Sequence, residues 1–127
     1  MDLTIQQQRA KFALERIQGL PVKLKPNEQV EFISYASGLP AMIHMNGLGQ
    51  AMAFCKLKSK ERESYGQLYL LVSDWLCKEG QPYQGRKEAL EGITQLDMAH
   101  YQLAQAETLV LMSWVKKFAK AFLAEEG

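Results

Sequence analysis

Cysteine is scarce in this chain: Cys55 and Cys77 are the only two among 127 residues, and no C-x-x-C pair occurs. That excludes a disulfide framework and a zinc ribbon, and points to a reduced, cytoplasmic setting with structural thiols. Histidine is as sparse. His44 and His100 make neither H-x-x-x-H nor H-E-x-x-H, so no metal and no cofactor is expected. No histidine stands in a pattern that would activate a serine or cysteine, so no nucleophilic triad is visible. No apolar run approaches the ~20 residues of a membrane-crossing helix. The opening MDLTIQQQ also lacks the basic-then-apolar order of a secretion signal. Period-two alternation of any useful length is missing, which leaves no basis for a sheet.

Glycine interrupts one apolar segment in a way that suggests a phosphate loop. The stretch LPAMIHMNGLGQAMAF places Asn46, Gly47, Leu48 and Gly49 among hydrophobic neighbours. A dinucleotide loop would need a third glycine at the place of Met52 and a strand before it, and a Walker loop would need Gly-Lys-Ser/Thr. Neither pattern is met, so the glycines predict a kink or a close helix approach instead. Glu107 has no second carboxylate at a fixed spacing, which argues against acid–base chemistry; a structural ion pair with an Arg or Lys of another helix is the expected role. His44, between Ile43 and Met45, reads as a core or interface group. The chain is not expected to be an enzyme.

What is present in quantity is helical periodicity. Residues 1–127 read as a single α-helical domain, an all-α compact bundle of about five to six helices ending in a long C-terminal one. Leu3, Ala10, Ala13, Leu14, Ile17 and Leu20 share a face, and Gly19 with Pro21 ends that helix. Pro26 or Asn27 opens the next, carrying Val30, Ile33 and Tyr35, with a break expected at Gly38-Leu39-Pro40. A third helix is expected over about 60–79, with Tyr65, Leu68, Tyr69, Leu71, Val72, Trp75 and Leu76 as its apolar face. After a loop and a short helix, Thr94-Gln95-Leu96-Asp97 resembles a capping box. From there to about Leu123 nothing breaks helix. Tyr101, Ala104, Leu111, Met112, Val115, Ala119 and Phe122 form one stripe of this helix, while Leu103, Val110, Trp114 and Ala121 form another. Two apolar sides fit a central helix or one that also meets a partner.

The net charge of +1 conceals segregation. Arg9, Lys11, Arg16, Lys23 and Lys25 outweigh the acids of residues 1–25 by three, and KLKSKER (56–62) and KKFAK (116–120) each carry +3, whereas residues 63–115 sum to −4. Clustered Lys and Arg neutralise phosphates without reading sequence. Arg9 and Arg16 should project in parallel, and Lys116, Lys117 and Lys120 lie within one turn beside Trp114 and Phe118. If the first and last helices pack together, these clusters merge. Ordinary solvation of helix ends is the competing reading, which would leave a helical protein–protein adaptor without nucleic-acid contact.

Three stretches, in order, resemble one family. LPAMIHMNGLGQAMAF, the N-terminal Gln8-Arg9-Ala10 with Ala13, and Tyr101, Ala104, Glu107 followed by Ser113-Trp114-Val115-Lys116-Lys117-Phe118-Ala119 are similar to the small helical subunit of the type III-B CRISPR effector, the Cmr or RAMP-module complex. The resemblance implies a non-catalytic α-helical part of an antiviral machine. Its copies stack beside the backbone subunits and reach towards the large subunit, and a basic face lines the channel where guide RNA and target RNA pair. On that basis Arg9, Lys116 and Lys117 lead the RNA-facing candidates, with Arg16 and Lys120 behind them and Lys56, Lys58 and Lys60 resting on charge alone. Asn46, Gly47, Leu48 and Trp114 are the expected subunit contacts.

Overall fold

A computed structural model describes residues 2–124. Five α-helices follow one another: α1 (Ile5–Gly19), α2 (Pro26–Lys58), α3 (Glu63–Leu76), α4 (Ala89–Gln95) and α5 (Met98–Phe122), with a short 3-10 turn at Leu20–Val22. No strand occurs among the described residues.

Helix α1 starts where its chemistry dictates. The Thr4 hydroxyl accepts from the Gln7 amide and the Gln7 carboxamide accepts from the Thr4 amide, a reciprocal cap that satisfies two otherwise orphaned donors. The expected box at Thr94 does not form. Thr94 lies inside α4, where its hydroxyl donates back to the Leu90 carbonyl. Asp97 caps α5 instead, accepting from the His100 amide.

Helix α2 departs furthest from what the sequence pattern predicts. Pro26 occupies its first turn, where a missing N–H costs nothing. Pro40 stays within helical geometry, so no break falls at 38–40. The chain leaves helical space at Gly47 alone, with φ 86° and ψ 160°. There it reverses. Tyr35 stacks on the Tyr65 ring at 3.7 Å, and Phe54 meets the same ring edge-on at 5.5 Å. Residues nineteen apart on a straight helix would be ~28 Å from each other. The arms 26–46 and 48–58 therefore fold back on each other, with α3 packed against both.

The remaining directions follow from pairwise contacts. Helix α5 runs alongside α1 in the same sense, with Ile5 beside His100 and Leu103 and with Arg9 bonded to Glu107. It runs against the first arm of α2, since the Gln29 carboxamide reaches the Ala124 amide while residues 48 and 49 bond Gln105 and Tyr101. Buried Gln29 also donates to the Leu24 carbonyl, tying the α1–α2 connection to the chain's far end. The core takes Ala13 and Ile17 from α1, Phe32, Leu39 and Ile43 from α2, Leu68, Val72 and Trp75 from α3, and Leu111, Met112 and Val115 from α5. Val30, Ile33 and Tyr35, expected as the apolar face of α2, flank this core half-buried; Phe32 and Ala36 fill it.

Two glycines are required by contact. A Cβ on Gly92 would stand 2.3 Å from the ring of fully buried Tyr83, so α4 can dock only without one. A Cβ on Gly47 would meet the Tyr101 hydroxyl at 2.9 Å in a backbone region that side-chain-bearing residues avoid. Gly47→Ala is expected to cost about 1–3 kcal/mol, read as a lowered urea midpoint at unchanged slope. Wild-type stability would show that the reversal tolerates a side chain.

Candidate nucleic-acid interface

The two amides after Gly47 begin a new helical arm and have no carbonyl four residues back to bond. The Leu48 amide donates to Gln105 Oε1 and the Gly49 amide to the Tyr101 hydroxyl, each at 2.9 Å. The N–H groups that could have cradled a phosphate are thus occupied by α5 of the same chain. Leu48 is fully buried, and Gly47 lies against Tyr101. The expectation that Leu48 makes a subunit contact is corrected, because it is fully buried in the chain's own packing; Gly47 is half-buried. Asn46 is exposed, and so is His44, whose apolar neighbours in the sequence suggest a core or interface place.

Helix α1 packs on α5 as anticipated, yet its arginines do not join a basic face. Arg9 grips Glu107 with two hydrogen bonds, Nε to Oε2 at 2.5 Å and Nη2 to Oε1 at 3.0 Å. The side chains are only 17% and 12% exposed. The bond to the Glu107 carboxylate, rather than solvent, holds the guanidinium charge and raises its pKa. The ion pair expected of Glu107 is therefore present, with Arg9 as its partner. Arg16 pairs with Asp74 of α3 and lies over the Phe12 ring, its charge likewise matched.

The KLKSK segment is partly committed as well. The Lys56 ammonium stands 3.5 Å from Glu88 and 5.0 Å above the Tyr69 ring, while Lys58 lies 5.8 Å above Phe54. Lys60 is exposed. The Tyr69 hydroxyl donates to Glu88 at 2.6 Å. That bond, with Lys56 assisting, holds the Glu88 carboxyl below its ordinary range; burial, more than Glu88, raises the Tyr69 pKa.

Helix α5 carries a cluster of uncompensated cations near its end. Lys117 and Lys120 are exposed and Lys116 half-buried, and none is ion-paired among the described residues. Lys117 follows Trp114 by three residues and shares its side; Lys116, two residues on, is turned ~200° away. The three lysines thus do not all flank the tryptophan. Trp114 is half-buried and begins an aromatic row, 5.7 Å to Phe118 and 6.3 Å from there to Phe122. Leu103 and Val110 are 62% and 40% exposed. The second apolar stripe of α5 therefore faces outward, not into a bundle centre.

A cleft of about 610 Å³ opens between the start of α1, the loop after α3 and the start of α5. Ile5, Pro82, Arg86, Leu96, His100 and Glu107 are among its lining. Glu107 is spent on Arg9, and the His100 ring bonds Asp97 at 2.7 Å. No group of metal-binding side chains occurs among the described residues, and no described helix is long and apolar enough to cross a membrane.

The class defined here is an all-helical bundle that carries, near the end of its last helix, lysines without ion-pair partners among the described residues. The comparisons with known proteins agree with that class. Residues 5–122 match the family described as CRISPR-associated protein (Cas_Cmr5), and the chain belongs to it; this is the small-subunit family of the type III-B Cmr complex. A curated relative, CRISPR system Cmr subunit Cmr5 of Thermus thermophilus, is 28% identical over 95 residues, covering 75% of this chain and 77% of the relative. The crystal structure of a CRISPR-associated Cmr5 family protein from Thermus thermophilus superposes with a TM-score of 0.73 at 25% identity, covering 98% of this chain and 100% of that one.

Two outcomes test the ion pairs. In a double-mutant cycle, Arg9→Ala and Glu107→Ala should couple by about 1–3 kcal/mol in chemical denaturation, because each single change strands a half-buried charge. Additive effects would mean the pair holds nothing together. For Glu88 the folded pKa is depressed, so its contribution is present above the ordinary value of about 4.3 and fades as pH falls through the lower folded one. The melting-temperature gap between wild type and Tyr69→Phe should accordingly be widest near neutrality and shrink on acidification below that range. A gap independent of pH would sever Tyr69 from the carboxylate.

Proposed function

We propose that this chain is a non-catalytic subunit of a type III-B CRISPR effector, and that it touches RNA phosphates through the lysines of α5. In this reading residues 1–127 act as one cytoplasmic unit. Copies stack along the channel where guide and target RNA pair, beside the backbone subunits and towards the large subunit. The observation that carries the RNA contact is the cluster Lys116, Lys117 and Lys120, three cations without an acid among residues 113–124 and, among the described residues, without an ion-pair partner. Point charges on flexible stems neutralise phosphates regardless of base sequence, which suits a part whose specificity is delegated to base pairing. Lys60 can extend the face; Lys56 and Lys58 are held over aromatic rings, and Arg9 and Arg16 contribute through packing.

A second reading has its own observation. The exposed Leu103 and Val110, with half-buried Trp114, leave an apolar line along α5 that suits a neighbouring subunit or a second copy, with exposed Asn46 a further contact. Both surfaces can operate in one assembly.

Replacing Lys116, Lys117 and Lys120 with alanine should weaken binding of unrelated RNAs to a similar extent and flatten the log–log salt dependence by about two. Fluorescence anisotropy at two or more salt concentrations, on the chain alone and in the reconstituted complex, reads both effects. Exposed Lys117 and Lys120 contribute within about 0.5 kcal/mol to stability, and circular dichroism checks that the triple variant, which also changes half-buried Lys116, stays folded. Salt-independent or absent RNA binding in both settings would leave protein contact as the sole role.

A further inference from the structure

Away from α5, the fold brings together two cations that stand far apart in the chain. Lys11 lies on α1 and Lys78 just beyond α3, sixty-seven positions apart. Both line a cleft of about 250 Å³ with Leu3, Gln8, Phe12, Glu15 and Trp75. Neither is ion-paired among the described residues, although Glu15 borders the same cleft. Lys78 is instead held over two rings, 5.3 Å from the centroid of Phe12 and 5.6 Å from that of Trp75, and the rings themselves pack at 5.1 Å. Rings attract a cation without neutralising it, so the ammonium is positioned and still available to an anion. Arg16 lies over Phe12 as well, but Asp74 matches its charge.

A further observation concerns Trp75. The residue is 2% exposed, and its indole N–H has no hydrogen-bond partner. Trp75 borders the cleft, so its indole resonance is a local reporter of what enters it. Two ammonium groups against one carboxylate leave the cleft net positive. An anion suits that charge, and a cleft of this size admits one phosphate group with its substituents.

We infer that this cleft is a further phosphate-binding position, in which Lys11 and Lys78 engage an RNA phosphodiester beside the Trp75 ring. The inference rests on the RNA reading above and extends it from α5 to the α1–α3 side of the bundle. It also gives the aromatic pair Phe12–Trp75 a role beyond filling space, that of holding Lys78 in place.

The two tryptophans make the test direct. In a ¹⁵N-labelled full-length chain, Trp75 and Trp114 give two indole N–H resonances, assigned with Trp114→Phe. Titration with a single-stranded RNA of about ten nucleotides should shift the Trp75 indole resonance. Lys11→Ala or Lys78→Gln should each lower the salt slope by about 0.7 and abolish or reduce that shift. A parallel titration with inorganic phosphate separates sources: a shift with phosphate alone assigns recognition to the free anion, and a shift with RNA only assigns it to the strand. A Trp75 indole that stays still while the Lys117 and Lys120 amides move overturns this site and leaves the RNA reading standing. If nothing moves with RNA, in the chain alone and in the reconstituted complex, the RNA reading fails first.

Discussion

The reversal at Gly47 is the constraint on which the rest of the bundle depends. It turns 33 residues of nearly uninterrupted helix into two arms, and it exposes two amides that have lost their helical acceptors. Tyr101 and Gln105 supply acceptors from α5, four residues apart and therefore on one side of that helix. The same contact fixes α5 against α2, places Tyr65 between the two arms and sets the register that lets Arg9 meet Glu107. A phosphate cannot use these amides, because the fold has already used them.

Charge in this protein divides by what each cation can find. Three of the four arginines, with planar forks suited to carboxylates, are drawn into pairs: Arg9 with Glu107, Arg16 with Asp74, Arg62 with Glu31 at 2.9 Å. Lysines more often keep aromatic or solvent surroundings, as Lys58 and Lys78 do over rings and Lys117 and Lys120 do in the open. Pairing consumes the arginine charge in holding helices together, whereas ring contact and exposure leave the lysine charge for a ligand. A nearly neutral chain can thus still present clustered lysines, because the pairs it does form are mostly made by arginines.

Membership of the Cmr5 family gives these features a setting. A small subunit of a larger complex needs outward surface left over for its neighbours once its own core is packed. The outward line along α5 and the lysines near its end fit that description.

Much of this was legible in one dimension. Helical periodicity pointed to the all-α class and the long last helix, because a core-facing stripe at 3.6-residue spacing is a local property. Gly19, Pro21 and Pro26 marked their boundaries for equally local reasons. The pairing of Glu107 was foreseeable as a type, though not its partner. What the sequence could not decide depends on residues far apart in the chain. Whether Gly38-Leu39-Pro40 or Gly47 breaks α2 is settled by Tyr101 and Gln105, more than fifty positions away, since a proline in a helix can be tolerated whereas a reversal needs acceptors for the amides it frees. Whether Arg9 faces phosphate or carboxylate is settled by the parallel packing of α1 on α5. Thr4 and Thr94 stand in similar local patterns, yet only Thr4 caps a helix, because α4 had already enclosed the other. Lys78 met Phe12 and Trp75 only through the fold. Spacing along the chain determined which faces are apolar; the tertiary structure alone decided which charges were left over.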